Sequence, residues 1–195
     1  MYIKLKRFID VMLSVTALLL LSPFILIFVI ILKLDSKGPV LFKQKRVGIN
    51  QKYFYMLKFR TMKVDTPKDT PTHLLINAEN YITNVGKFMR KTSLDELPQI
   101  WNILLGHMSF VGPRPALWNQ EDLIIAREKY GANDALPGLT GWAQVNGRDE
   151  VPIDLKAKLD GEYVGNISMS MDLKCIFLTL IKVIKRENIV EGPSK

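Results

Sequence analysis

"VMLSVTALLLLSPFILIFVIIL", Val11 to Leu32, is the stretch whose reading decides the fold. Its 22 residues carry no formal charge. As a straight helix they would reach roughly 33 Å, enough to cross a bilayer. The run is too long for a signal peptide, and no small-residue cleavage site follows it. Ser22-Pro23 sits at its middle. Pro23 lacks a backbone N–H and clashes with the Leu19 carbonyl, so a kink or break is expected there. The Ser22 hydroxyl can satisfy a carbonyl freed by that break, such as that of Leu18. Lys4, Lys6 and Arg7 precede the run, and Lys33, Lys37, Lys43, Lys45 and Arg46 follow it. Both flanks therefore prefer the cytoplasmic side. A segment with both ends on one side must enter and return, each half of about 11 residues penetrating roughly 16 Å. A proline-kinked spanning helix is the alternative; the flanking charge favours the re-entrant hairpin.

The remaining sequence is polar enough for one domain with a modest core. Lys and Arg number 27 against 19 acids, a formal net charge of +8. That surplus points to an anionic partner: membrane lipid, nucleic acid or a phosphorylated substrate. No nucleic-acid-binding motif is evident, and the basic residues lie beside apolar segments, which suits anionic membrane lipid better. With one cysteine, Cys175, no intrachain disulfide is possible, and its apolar surroundings mark it as a small packing residue. No second run is apolar enough to enter lipid deeply, which excludes a multi-span transporter or polytopic transferase.

The fold class expected is α+β, mainly helical. Residues 1–36 would form a membrane helix-break-helix, and residues 37–195 a cytoplasmic, membrane-associated domain with a short β-hairpin and amphipathic interfacial helices. The hairpin is "VLFKQKRV", Val40 to Val47, and "YFYMLKFRTM", Tyr53 to Met62, joined by "GINQK". Lys58 and Arg60 share a face of the second strand, either guarding an edge or forming a cationic wall for phosphate. A helix is expected over about Ala78 to Lys91. "MDLKCIFLTLIKVIKR", Met171 to Arg186, gathers Lys174, Lys182, Lys185 and Arg186 on one arc of an otherwise apolar helix. It suits an anionic interface or a place on the domain core equally.

"TSLDELPQIWN", Thr92 to Asn102, holds adjacent acids, Asp95 and Glu96. Asp95 fits an N-cap with Pro98 in the first turn, and Ser93 with Glu96 fits a capping box. The helix would run to about Leu105 and stop at Gly106. A structural role suffices on this stretch alone. Its surroundings add cations: Arg90 before it, and Arg114 after it in "VGPRP", Val111 to Pro115. Arg114 leaves a stiff backbone between two prolines, which suits either a rigid solvated turn or a phosphate ligand. "LPGLTGWAQVNGR", Leu136 to Arg148, has glycines that allow tight turns and close backbone approach to a ligand.

Ser-Pro in an apolar N-terminal hairpin, "KFRTM", "RKTSLDELPQIWN", "MSFVGPRP", "PGLTGWAQVNGR" and the late "MDLK" occur in this order over nearly the whole chain. Together they resemble the bacterial sugar transferase family, small monotopic polyprenyl-phosphate phosphoglycosyl transferases. The resemblance implies transfer of a phosphosugar from a UDP-sugar to polyprenyl (undecaprenyl) phosphate, releasing UMP, as the first membrane step of polysaccharide or glycoconjugate assembly. It implies a place on the cytoplasmic face of the bacterial inner membrane and a re-entrant helix broken at Ser22-Pro23. It makes Asp95-Glu96 the catalytic dyad, Asp95 becoming covalently phosphorylated and Glu96, with Asp95, holding Mg²⁺. Phosphate would be met by Lys58, Arg60, Arg90, Arg114 and Arg148. Gln144, Asn146 and Gly147 would form a nucleotide or substrate loop. Sugar recognition would fall in the loops around Val64–Leu75 and Glu121–Asp134. One position departs from the family, which commonly has "GDMS" where this chain has "GHMS", so His107 replaces an acid and stays outside the expected site.

The rival enzyme class, metal-dependent nucleotide-sugar transferases, commonly carries an Asp-X-Asp motif that this chain lacks. No P-loop or dinucleotide fingerprint is present either. A non-catalytic membrane-anchored scaffold that presents lipid would fit the charge and amphipathicity, but would have no need of Asp95.

Overall fold

The structure, a computed structural model, describes residues 2–66, 78–147 and 151–185. The apolar stretch lies in one helix, α1, from Tyr2 to Asp35, with Pro23 inside it. Pro23 cannot donate to the Leu19 carbonyl four residues back, and the Ser22 hydroxyl donates to that carbonyl instead, at 2.8 Å. The helical path thus continues through the dipeptide, and the hydroxyl serves Leu19 rather than Leu18.

Both ends of α1 are fastened to the same body. Near its start, Arg7 donates from its two terminal nitrogens to the carbonyls of Ile103, at 2.6 Å, and Leu104, at 2.7 Å. Asp10 accepts from the Phe110 amide at 3.2 Å, and Lys6 pairs with Asp172 at 2.6 Å. Near its finish, Leu32 is fully buried with Phe59 and Met89, flanked by Phe28 and Val29. Between these anchors the apolar side chains stand exposed, Leu19 at 71% and Leu20 at 69%.

Strands β1 (Leu41–Val47) and β2 (Tyr53–Phe59) pair antiparallel, with Leu41 opposite Phe59 and Val47 opposite Tyr53. The hairpin is the one expected. Its turn places Asn50 and Gln51 at φ of 51° and 57°. Alternation along β2 sends Phe54 and Met56 inward onto Ile103 and Met108, and Lys58 shares their face.

The helix expected from Ala78 begins later. Ala78–Asn80 is a single tight turn, and α2 runs Asn84–Lys91, capped by the Thr83 side chain, which accepts from the Gly86 amide at 3.0 Å. A threonine cap with β-region backbone fixes that start better than the polar residues before it. Gly86 is required by packing: a Cβ there would lie 2.1 Å from the Thr61 carbonyl oxygen.

Helix α3 spans Gln99–Leu104 and ends at Gly106, whose φ of +86° suits glycine. Two strands escaped the sequence reading. β3 (Ser109–Val111) and β4 (Gly138–Thr140) pair in parallel, each too short to show a period. Here the glycines serve backbone packing: a Cβ on Gly112 would meet the Leu136 carbonyl oxygen at 2.3 Å, and one on Gly141 the Gly112 carbonyl oxygen at 2.0 Å. Helices α4 (Glu121–Glu128), α5 (Trp142–Val145), α6 (Ile153–Gly165) and α7 (Met169–Lys185) complete the body.

Helix α7 packs one face on the core and leaves another apolar face exposed. Asp172 and Cys175 are buried, Cys175 beside Val111 and Tyr163. Leu173, Phe177 and Leu180 are 57%, 64% and 56% exposed on another face. Lys174 lies over the Trp142 ring at 4.6 Å. Arg186 falls outside the described residues.

Candidate active site

Neither capping arrangement forms around the two acids. Ser93 adopts the left-handed region, φ 57° and ψ 16°, and makes no side-chain cap. Leu94–Glu96 is one tight 3-10 turn, and α3 starts only after Pro98, which occupies its cap position. The turn buries Asp95 and leaves both carboxylates off the helix end. With the caps gone, the pair needs another explanation, and its neighbours supply one.

Lys58 Nζ donates to Glu96 Oε1 at 2.7 Å and stands 3.7 Å from Asp95 Oδ2. Arg114 donates to the same Glu96 oxygen at 3.1 Å. Asp95 is 7% exposed, yet among the described residues no hydrogen bond to its carboxylate is seen. The distance to Lys58 is too long for one.

Burial pushes the Asp95 carboxyl above its ordinary range; Lys58, Arg90 and Arg114 oppose that, and the Glu96 charge adds to it. Burial also disfavours the Glu96 charge, but Lys58 and Arg114 outweigh it and hold that carboxyl well below the usual carboxylate range. The two acids are therefore unlike. Glu96 is a fixed anion whose Oε1 is shared by two cations. Asp95 is a more basic carboxylate, paired with Lys58 only at ion-pair distance and without a hydrogen bond among the described residues.

The scaffold holds this geometry from several sides. Asn102 is 1% exposed. Its amide donates to the Tyr55 carbonyl at 2.8 Å, and its oxygen accepts from the Leu57 amide at 2.9 Å. It thereby pins β2, and so Lys58, to the helix that follows the acids. Asn102 closes the "QIWN" run, but its role was not legible there, because only tertiary packing shows which strand edge it meets. Arg90 donates from Nε to the Thr61 hydroxyl at 2.8 Å, near enough to Asp95 to act on its ionisation.

Other expected members lie elsewhere. Arg60 turns to the end of α1, donating to the carbonyls of Ser36 at 2.8 Å and Lys37 at 3.0 Å and to the Ser36 hydroxyl at 2.9 Å. It lies one residue past β2, so it does not continue the face that carries Lys58. The Gln144 amide donates to the Leu139 carbonyl at 3.2 Å, while its oxygen is buried without a partner. Asn146 donates back to the Trp142 carbonyl at 2.8 Å, and Gly147 has φ +153°. Arg148 lies outside the described residues, as does most of the Val64–Leu75 loop. The other expected sugar loop, Glu121–Asp134, is instead α4 followed by a tight turn at Ala132–Asp134. His107 is exposed, with its ring 5.9 Å from that of Phe54.

Among the described residues no cluster of three or more metal-ligating side chains occurs. Two adjacent carboxylates still suit Mg²⁺, which commonly takes one or two protein carboxylates and fills its shell with substrate phosphates and water.

The family model described as bacterial sugar transferase matches residues 1–186. The chain is 41% identical over 94% of its length to the undecaprenyl-phosphate glucose phosphotransferase of Komagataeibacter xylinus, of which it spans 36%. It is 40% identical to the exopolysaccharide production protein PSS of Rhizobium leguminosarum bv. phaseoli, covering 93% of this chain and 96% of that one. It is 42% identical to the UDP-glucose:undecaprenyl-phosphate glucose-1-phosphate transferase of Escherichia coli (strain K12), covering 91% of this chain and 40% of the other.

Proposed function

The chain belongs to the bacterial sugar transferase family, and from that premise we propose that it moves a sugar phosphate from a nucleoside diphosphate sugar, a UDP-sugar, to polyprenyl phosphate through a phosphorylated Asp95. The observation that carries this reading is the pairing of an acid hydrogen-bonded by two cations, Glu96, with a buried acid, Asp95, that has no hydrogen bond among the described residues.

In the first displacement an Asp95 carboxylate oxygen attacks the phosphorus next to the sugar. The bond from that phosphorus to the bridging oxygen breaks, and UMP leaves with the oxygen. In the second, a polyprenyl phosphate oxygen attacks the same phosphorus and expels the Asp95 carboxylate, giving a polyprenyl-diphosphate sugar. A covalent route lets a soluble donor and a lipid acceptor react in turn at one site. An anion attacking an anionic diphosphate needs charge compensation in place beforehand. Lys58 and Arg114 already stand at the acids, and Arg90 adds its field. Glu96 and Asp95 would hold Mg²⁺, which when bound supplies further neutralisation of the diphosphate. Arg60, bound to the end of α1, supports the site through the strand end it fixes.

The membrane arrangement follows from the same chain. α1 is long and apolar enough to cross a membrane, yet its first turns and its last turn dock on one body. A helix whose two ends are tied to one body has both on the same face of the bilayer. This supports a re-entrant, monotopic attachment at the cytoplasmic face of the bacterial inner membrane, with Ser22-Pro23 near the deepest point and Leu173, Phe177 and Leu180 of α7 meeting the anionic interface.

The test is a half-reaction. Purified protein receives UDP-sugar labelled in the sugar-linked phosphate, Mg²⁺ and no lipid acceptor. About one equivalent of UMP is expected per protein, with label retained on Asp95. EDTA should suppress the labelling and added Mg²⁺ restore it. Active protein that never carries label, or label that persists in an Asp95→Asn variant, overturns the covalent reading. A panel of UDP-sugars in the same assay identifies the donor.

A further inference from the structure

Arg127 and Asp160 form an ion pair away from the carboxylate dyad. Arg127 donates from Nε at 2.8 Å and from Nη2 at 2.6 Å to Asp160 Oδ2. The side chains are 5% and 1% exposed. A pair this deep gives little net stability compared with apolar residues of the same shape, so stability alone is a poor reason for it. Its third bond is informative: Arg127 Nη2 also donates to the Arg114 carbonyl at 2.9 Å.

Arg114 thus faces two ways. Its guanidinium reaches Glu96, and its carbonyl is held by Arg127. Several other bonds of its loop run backbone to backbone. Gly112 donates to Thr140 at 2.8 Å, Gly138 donates to the Pro113 carbonyl at 2.9 Å, and Val47 donates to the Ala116 carbonyl at 2.9 Å. A second arginine, Arg46, donates to the Pro115 carbonyl at 2.9 Å. The Arg114 peptide is the point where the loop relies on a side chain drawn from α4 and braced by α6. At one end of the loop, α6 also brings the Tyr163 hydroxyl to 3.0 Å from the Val111 carbonyl and 2.7 Å from Asp172 Oδ1, its single proton serving one of them at a time.

We propose that Arg127, braced by Asp160, is a positioning residue for the transfer reaction: it fixes the Arg114 backbone so that the Arg114 guanidinium stays on Glu96 and over the incoming phosphates. Arg127 is 4% exposed and acts through Arg114. The inference rests on the reading of Arg114 as part of the phosphate-holding cluster. The physical warrant is that misplacing a catalytic contact by about 1 Å costs up to ~100-fold in rate.

The test is a double-mutant cycle on the full chain in detergent or nanodiscs. The single-turnover rate of UMP release at saturating donor is measured for wild type, Arg127→Lys, Arg114→Lys and the double variant. Lysine keeps the charge but cannot bond Asp160 twice and the Arg114 carbonyl together. Arg127→Lys is expected to slow release about 10-fold in the wild-type background, and less than about twofold once Arg114 is lysine. Equal fold losses in both backgrounds, or no loss in the first, overturn the proposal. A purely structural defect predicts equal losses. If Arg127→Lys does not melt cooperatively, Asp160→Asn replaces it in the same cycle with the same two outcomes. The covalent reading fails separately, through absence of label on Asp95 in active wild type. An additive cycle in a protein that does carry label sinks only the positioning role.

Discussion

Arg114 belongs to two acid–base clusters, one through its side chain and one through its backbone. At Arg127–Asp160 one acid meets one guanidinium, nearly sealed from solvent. At Asp95–Glu96 two acids meet Lys58 and Arg114, with side-chain exposures of 10% for Asp95, 17% for Lys58, 19% for Glu96 and 30% for Arg114. In the closed pair Arg127 bonds Asp160 twice and holds backbone as well. The open cluster leaves one carboxylate unsatisfied and the cations within reach of solvent. Burial of charge is common to both; in the open cluster one carboxylate lacks a hydrogen bond among the described residues, and that property suits chemistry.

Exchanging the two aspartates' fates is the strongest way to break this contrast. Asp95→Asn should reduce UMP release at least about 1,000-fold while the fold survives. Because burial raises the folded-state pKa of Asp95 above its unfolded value, its ionised form costs stability at neutral pH. Asn should therefore melt at or above wild type near neutrality, the gap closing as pH falls through the raised value. Calorimetry against pH checks the sign. Asp160→Ala should do the opposite, leaving Arg127 buried and unpaired at a cost of about 3–5 kcal/mol, seen as a large fall in Tm.

Lys58→Ala sharpens the open cluster. It removes the cation shared by both acids and should slow labelling about 100-fold, with a fall in Tm as well, because Arg114 then stays as the one cation bonded to Glu96 among the described residues. Pro23→Ala addresses the other polar insertion, the one in α1. Restoring an N–H at the middle of the apolar run should shift tags at the two ends of Val11–Leu32 from the same side toward opposite sides, read by membrane-impermeant labelling in cells. The smallest effect is expected at His107, which is exposed and bonds neither cluster's charged side chains among the described residues. His107→Asp, restoring the family's usual acid, should alter UMP release by less than about twofold.

Much of the architecture was legible in the residues themselves. The uncharged run, the alternation of the hairpin and the Gly106 stop all depend on local chemistry, and each lies where its residues put it, whereas the helix runs on through Ser22-Pro23 where a break is expected. The start of α2 was misjudged because Thr83, a single cap, outranks the residues that precede it. Strands β3 and β4 went unread because three residues each give no period, and their pairing is set by glycines that let two backbones approach.

In the site, the dyad, Lys58 and Arg114 carry visible motifs, whereas Arg60, expected on the face of Lys58, lies one residue past β2 and donates to Ser36 and Lys37. Asn102, Arg127 and Asp160 were invisible, since nothing local distinguishes a clamp from an ordinary polar helix residue.

The sequence by itself determined that this chain has one lipid-seeking segment, an adjacent acid pair and a surplus of cations, because hydropathy and charge are sums over residues that no fold can alter. Only the tertiary structure decided which acid takes the cations' hydrogen bonds and which does not, and which arginine reaches Glu96 and which one holds the Arg114 backbone. Those properties depend on donor–acceptor distances of about 3 Å between segments far apart in the chain, and such distances are set by packing alone.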